Sequence, residues 1–121
     1  MRAVMETIRR HHRFMVTSHI NPEGDALGSA LGLASLLKRL GKKVTLANQG
    51  GIPKAFAFFP RLAPVLSGPR RPVSAEVAMT VDVPLLSRTG SISRLIRRIP
   101  LLVNIDHHVS NQRFGDINWV D

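Results

Sequence analysis

Apolar positions in this chain come in short, nearly continuous runs separated by polar stretches rich in glycine or proline. FMVTS (14–18) is apolar and β-branched, as a strand buried on both faces should be. KVTLA (43–47), EVAMTVD (76–82) and LLVNI (101–105) repeat that character. Between them the period changes. Leu27, Leu31, Leu33, Leu36, Leu37 and Leu40 form a wide apolar face and predict a helix over 26–40. Lys38 and Arg39 suit its C-terminal dipole, and Gly41 stops it. Gly28 and Gly32 are expected to permit close packing. Shorter helices are predicted over 3–12 and 85–98, the latter with a basic face. HINPEGDALGS and NQGGIP read as loops. KAFAFFP (54–60) reads as one helical turn, and RLAPVLSGPRRPVS as mostly connection. Strands alternating with helices, each strand apolar on both faces, predict an open, mostly parallel α/β sheet flanked by helices.

Composition narrows this picture. With 121 residues the chain suits one domain with a modest core. A hydrophobic fraction of 44% argues against disorder. No apolar run approaches the roughly 18–20 residues that span a bilayer, so no membrane partner is expected. The N-terminus lacks the apolar segment of a secretory signal. Cysteine is absent, which removes disulfides, thiolate metal sites and a Cys nucleophile, and suits a cytoplasmic protein. The net charge of +9 comes from arginines spread along the chain, and points to a phosphate-bearing partner.

The placement of the acids is more telling. Glu23, Asp25, Asp82 and Asp106 fall at or just after the ends of apolar runs. In an open parallel sheet those ends share one edge, where ligands bind. His19, Glu23 and Asp25 follow the first strand, Asp82 ends the third, and Asp106, His107 and His108 end the fourth. Converging carboxylates repel unless a cation lies between them, and histidine among them suggests metal. Nitrogen and oxygen donors suit manganese, magnesium or iron over thiolate-bound zinc. Two ions about 3.5–4 Å apart could activate a water and clamp a phosphoryl oxygen. Each residue also has a plainer duty. Asp25 can cap a helix, Asp82 can begin a turn with Pro84, and Asp106 can accept backbone N–H groups. His11 and His12 read as surface residues.

SHINPEGDALGSALGL, the VD of AMTVDVPLLSRTG, and NIDHHVSN, in that order, resemble the DHH phosphoesterase superfamily, named for its Asp-His-His triplet. FAFFP and FGDINWVD are similar to segments of its bacterial oligoribonuclease and adenosine 3′,5′-bisphosphate phosphatase group. The resemblance implies two Mn²⁺ sites, with Mg²⁺ as the alternative ion. His19 and Glu23 would hold the first, where the family more often has Asp at the second position. Asp25 and His107 would hold the second, and Asp82 would bridge. His108 would contact the scissile phosphate, Asp106 would orient a histidine, and Asn111 and Arg113 would touch phosphate. Gly28 and Ser29 would lie at a helix start that binds an anion. The implied activity is hydrolysis of short oligoribonucleotides or a 3′-phosphonucleotide. Alternatives are a cyclic-dinucleotide phosphodiesterase, a family II-type pyrophosphatase, or a non-catalytic basic nucleic-acid-binding fragment. The family's fourth metal-binding motif and its C-terminal DHHA1-type substrate domain would lie beyond Asp121. Residues 1–121 are therefore expected to be the N-terminal part of a larger enzyme, a homodimer at full length, with little activity alone.

Overall fold

The computed structural model describes residues 1–58 and 63–121; the end of FAFFP and the start of RLAPVLSGPRRPVS lie outside these. Among the described residues, besides 3-10 helices at Lys54–Phe56 and Leu86–Ile92, nine α-helices and strands follow one another: α1 (Arg2–Arg10), β1 (Arg13–Thr17), α2 (Gly24–Arg39), β2 (Lys43–Ala47), β3 (Val65–Leu66), β4 (Val77–Val81), α3 (Ser93–Ile96), β5 (Leu101–Asp106) and β6 (Ile117–Val120). The six strands form one sheet in the order β3-β2-β1-β4-β5-β6. Every neighbouring pair is parallel. The chain thus builds outward from β1 in one direction, then returns and builds outward from β4 in the other. The strand order reverses between β1 and β4, and a crevice opens beyond their C-terminal ends at such a switch point.

Alternation along the strands splits the core into two layers. Phe14 and Val16 face α1 and α2, where they pack with Leu27, Leu31 and Leu37. Met15, between them, faces the other side with Ala78, Ile92, Leu95 and Ile96. Both sets are buried, which is why β1 reads as a continuous apolar run rather than an alternating one. Burying each of these larger side chains contributes roughly 1.5–3 kcal/mol.

Four expectations need correction. Helix α2 begins at Gly24, two residues early, so Gly28 and Ser29 fall in its second turn, where N–H groups are already bonded within the helix. They therefore cannot form a helix-start anion site. Among the described residues, a Cβ at Gly28 or Gly32 would meet no atom of another element within 4 Å, so no close packing there calls for glycine. The continuous helix over 85–98 is broken. A 3-10 segment at Leu86–Ile92 precedes the four-residue α3, because Gly90 takes φ 63° and ψ −136°, outside any helix. Finally, β3 and β6 were not predicted. Both are short edge strands of half-buried residues, so neither shows a long apolar run.

Candidate metal and phosphate site

β1 ends at Thr17 and hands the chain to Ser18 and His19. Ser18 is buried, and its N–H donates to Asn48 Oδ1 at 3.3 Å from the end of β2. Asn48 Nδ2 donates in turn to the His19 carbonyl at 3.1 Å. The backbone that carries His19 is therefore pinned to the neighbouring strand. The imidazole is oriented as well. His19 Nδ1 lies 2.7 Å from the Ile20 carbonyl, which can only accept, so Nδ1 carries the proton. In the neutral ring Nε2 is then the lone-pair nitrogen, and it points at Asp82 Oδ2, 3.7 Å away.

Asp82 follows β4 with φ 59°, a left-handed conformation that Asp tolerates better than most residues. Its N–H donates to the Ile105 carbonyl at 3.1 Å, which extends the β4–β5 ladder by one step. The twist aims its carboxylate into the switch-point crevice. Oδ1 lies 2.9 Å from His107 Nε2 and 3.7 Å from His108 Nδ1. One carboxylate thus faces three imidazoles from two other strand ends. Among the described residues no Arg or Lys pairs with Asp82 or Asp106, so basic side chains do not relieve the charge there.

Asp106 closes β5 with a fully buried side chain. Oδ1 accepts from His108 Nδ1 at 2.7 Å, and Oδ2 from Asn111 Nδ2 at 2.6 Å. Burial is the largest influence on this carboxyl and pushes its pKa up. The hydrogen bonds from Asn111, His108 and the His107 backbone together outweigh it, leaving the pKa below its usual 3.8. Asp106 therefore holds His108 by Nδ1 through one oxygen, leaving Nε2 for other partners, and engages Asn111 through the other.

Asn111 is fully engaged. Its Nδ2 also donates to the Val83 carbonyl at 3.1 Å, while its Oδ1 accepts from Asn104 Nδ2 at 3.1 Å and from the Arg113 N–H at 2.7 Å. An amide with every position in use is a brace rather than a free phosphate donor. Behind it, Thr80 Oγ1 donates to Asn104 Oδ1 at 3.0 Å, from the register partner of Asn104 in the adjacent strand. Arg113 is exposed, with φ 50° and no ion-pair partner among the described residues. Of the two surface histidines, His12 is exposed, whereas His11 is half-buried with Nδ1 2.9 Å from the Thr7 carbonyl.

The ligand-capable atoms of Asp82, Asp106, His107 and His108 all lie within 4.8 Å of one another. Two ligands at right angles, each about 2.1 Å from an ion, would stand about 3 Å apart. The 2.9 Å between Asp82 and His107 fits such an arrangement. A cavity of about 580 Å³ adjoins the cluster. Asp25, Asp82, His107 and Asp121 line it together with Leu33, Ile105 and Trp119. Asp25 therefore shares a chamber with Asp82 and His107. Glu23 does not: it is exposed, and its carbonyl accepts from Leu27 N–H at 2.9 Å as the residue preceding α2.

Thr80, Asn104, Asn48 and Asp121 escaped the sequence reading. Two signals were present. Thr80 and Asn104 are polar positions inside otherwise apolar strands, and Val120-Asp121 repeats the pattern of Val81-Asp82.

The chain is similar to known proteins. Residues 13–121 match the profile of the DHH family, N-terminal domain. The bifunctional oligoribonuclease and PAP phosphatase NrnA of Thermus thermophilus is 32% identical over 131 residues, covering all of this chain and 36% of that protein. A probable protein of the same name from Streptococcus mutans is 22% identical over 120 residues, covering 99% of this chain and 37% of that protein. An exopolyphosphatase-related protein from Bacteroides fragilis superposes with a TM-score of 0.84 at 23% identity, over 98% of this chain and 37% of its own. The chain spans just over a third of the length of the curated relatives it matches.

Proposed function

The chain belongs to the DHH family, and from that premise we propose that it is the metal-binding lobe of a phosphoesterase acting on short oligoribonucleotides or 3′-phosphoadenosine 5′-phosphate. The observation that carries this reading is the Asp82 carboxylate, faced by His19, His107 and His108 at 2.9–3.7 Å across the sheet's switch point. His19 and Glu23 would hold one Mn²⁺, Asp25 and His107 a second, and Asp82 would reach both. Glu23 lies outside the cavity, so its part requires the turn just before α2 to move inward. Divalent ions bound there would supply Lewis-acid activation of water and of a phosphoryl oxygen. The remaining work falls to side chains of this chain. His108, held at Nδ1 by Asp106, presents Nε2 to the phosphate and stabilises charge developing on its oxygens. Asn111 braces Asp106, and Arg113 offers an exposed guanidinium to an anionic substrate. The NrnA names of two relatives support the substrate class.

The test is metal binding with one carboxylate changed. Mn²⁺ is expected to raise the melting temperature, the added stability growing with the logarithm of its concentration to about 2.7 kcal/mol at a hundredfold excess over Kd. EDTA should reverse the effect. Asp82→Asn keeps the left-handed backbone but should abolish it, with circular dichroism unchanged. Undiminished Mn²⁺ binding by the variant would overturn the reading. Diribonucleotide, adenosine 3′,5′-bisphosphate, cyclic di-AMP and pyrophosphate, assayed in parallel on a protein extended to its relatives' length, would then distinguish the substrates.

A further inference from the structure

The arginines and lysines look dispersed in sequence, but the fold gathers many of them. In a parallel sheet all strands begin on one edge and end on the other. The ending edge carries His19, Asp82, Asp106, His107 and His108, whereas Glu76 and Asp116 precede β4 and β6, and His11 and His12 precede β1, on the beginning edge, where both acids accept backbone N–H groups. The beginning edge carries Lys42 and Lys43 at the start of β2, Arg9 near the end of α1, Arg39 at the end of α2, and Arg97 and Arg98 just before β5. All six are exposed except half-buried Lys42. Arg10 is paired with Glu6 at 2.7 Å, and Arg13 lies 3.8 Å from Glu76. Among the described residues the other six have no carboxylate partner.

Helix dipoles account for only part of this. Arg9 and Arg39 complement the C-termini of α1 and α2. Lys42 and Lys43 lie beyond α2, and Arg97 and Arg98 follow a helix of only four residues. From β2 to β5 the rim crosses three inter-strand steps, about 14 Å at about 4.8 Å each. The cluster of Asp82 and His107 lies at the far end of the strands, about 17 Å away for five residues.

We propose that this rim is a second contact surface, one that holds the phosphate backbone of single-stranded RNA without metal. The surface stands on topology and charge alone; the choice of RNA as the polyanion rests on the proposed function. A row of cations on several strands suits a linear polyanion, which it binds by releasing counterions.

A labelled 15-nucleotide oligouridylate, titrated with this chain in EDTA, tests the proposal apart from catalysis. Binding is expected in EDTA, with log K falling against log salt at a slope of about −2 to −3, as for three or four phosphates. Lys42→Glu with Lys43→Glu should weaken it at least tenfold and flatten the slope. Arg97→Glu with Arg98→Glu should do the same on the other side of the rim, so one misfolded variant does not decide the matter. Asp82→Asn should leave this binding unchanged. Affinity lost in EDTA, or unaffected by both charge reversals in folded variants, would overturn the proposal. Tighter binding to phosphatidylserine vesicles than to RNA would overturn the choice of partner.

Discussion

At the residue scale, the most consequential contacts are made by Asn111 and Asp106. The Asn111 amide joins Asn104, Asp106, Val83 and Arg113 through hydrogen bonds of 2.6–3.1 Å. Asn111→Ala would leave a buried carboxylate short of a donor and should cost about 2–3 kcal/mol, read as a lower urea midpoint. Asp106 also sets a pH dependence. Its pKa is lowered in the folded state, so its contribution to stability is complete above the unfolded value of about 3.8. That contribution is lost as pH falls through the lower, folded value. Asp106→Asn should therefore flatten the acid limb of a stability-against-pH curve and leave its slope near neutrality unchanged. The sequence exposed the Asp106-His107-His108 triplet but not this duty. Only the folded chain brings Asn111 back onto Asp106 across the turn, with its N–H bonded to the His108 carbonyl at 3.1 Å.

At the element scale, the segment after β4 matters most. It reads as a helix because Leu85, Leu86, Ile92, Leu95 and Ile96 recur at helical spacing. Gly90 breaks it. A Cβ there would come within 2.2 Å of Gln49 Oε1 and 2.8 Å of Ile20 Cδ1. Gln49 Oε1 instead accepts the Ser91 N–H at 2.8 Å, and Ile20 N–H donates to the Arg88 carbonyl at 2.7 Å. The loops after β1, β2 and β4 meet at this glycine, next to His19. Gly90→Ala combines a backbone region reserved for glycine with a direct clash. It should destabilise the protein by at least about 1–3 kcal/mol in urea unfolding, and should weaken Mn²⁺ binding by loosening His19. An unchanged urea midpoint would show that the loops yield easily. Such a close approach is invisible in sequence, because Gly90 and Gln49 are 41 positions apart.

At the scale of the whole molecule, Asp82, Asp106 and His107 stand at one edge of the sheet, and Lys43, Arg97 and Arg98 at the other. Exposed like charges on one rim repel, and the net +9 acts against compaction. Salt screens such interactions beyond about 8–10 Å at physiological strength. Raising NaCl from about 20 to 300 mM should therefore raise the melting temperature in calorimetry, where a protein dominated by surface ion pairs would show a fall. The amino-acid sequence by itself determined the α/β class, the four inner strands, α1 and α2, and the strand-terminal placement of His19, Asp82, Asp106 and His107. Each of these follows from local apolar runs and the polar residue that ends them. Tertiary structure alone decided the strand order, and with it the switch point that brings β1 and β4 side by side. It also placed Asp25 in the cavity and left Glu23 outside it. It committed Asn111 to Asp106, and set Asp82, Asp106 and His107 at the edge opposite Lys43, Arg97 and Arg98. These outcomes depend on which distant segments become neighbours. That is settled by packing two faces of one sheet at once, not by the preferences of any single stretch of chain.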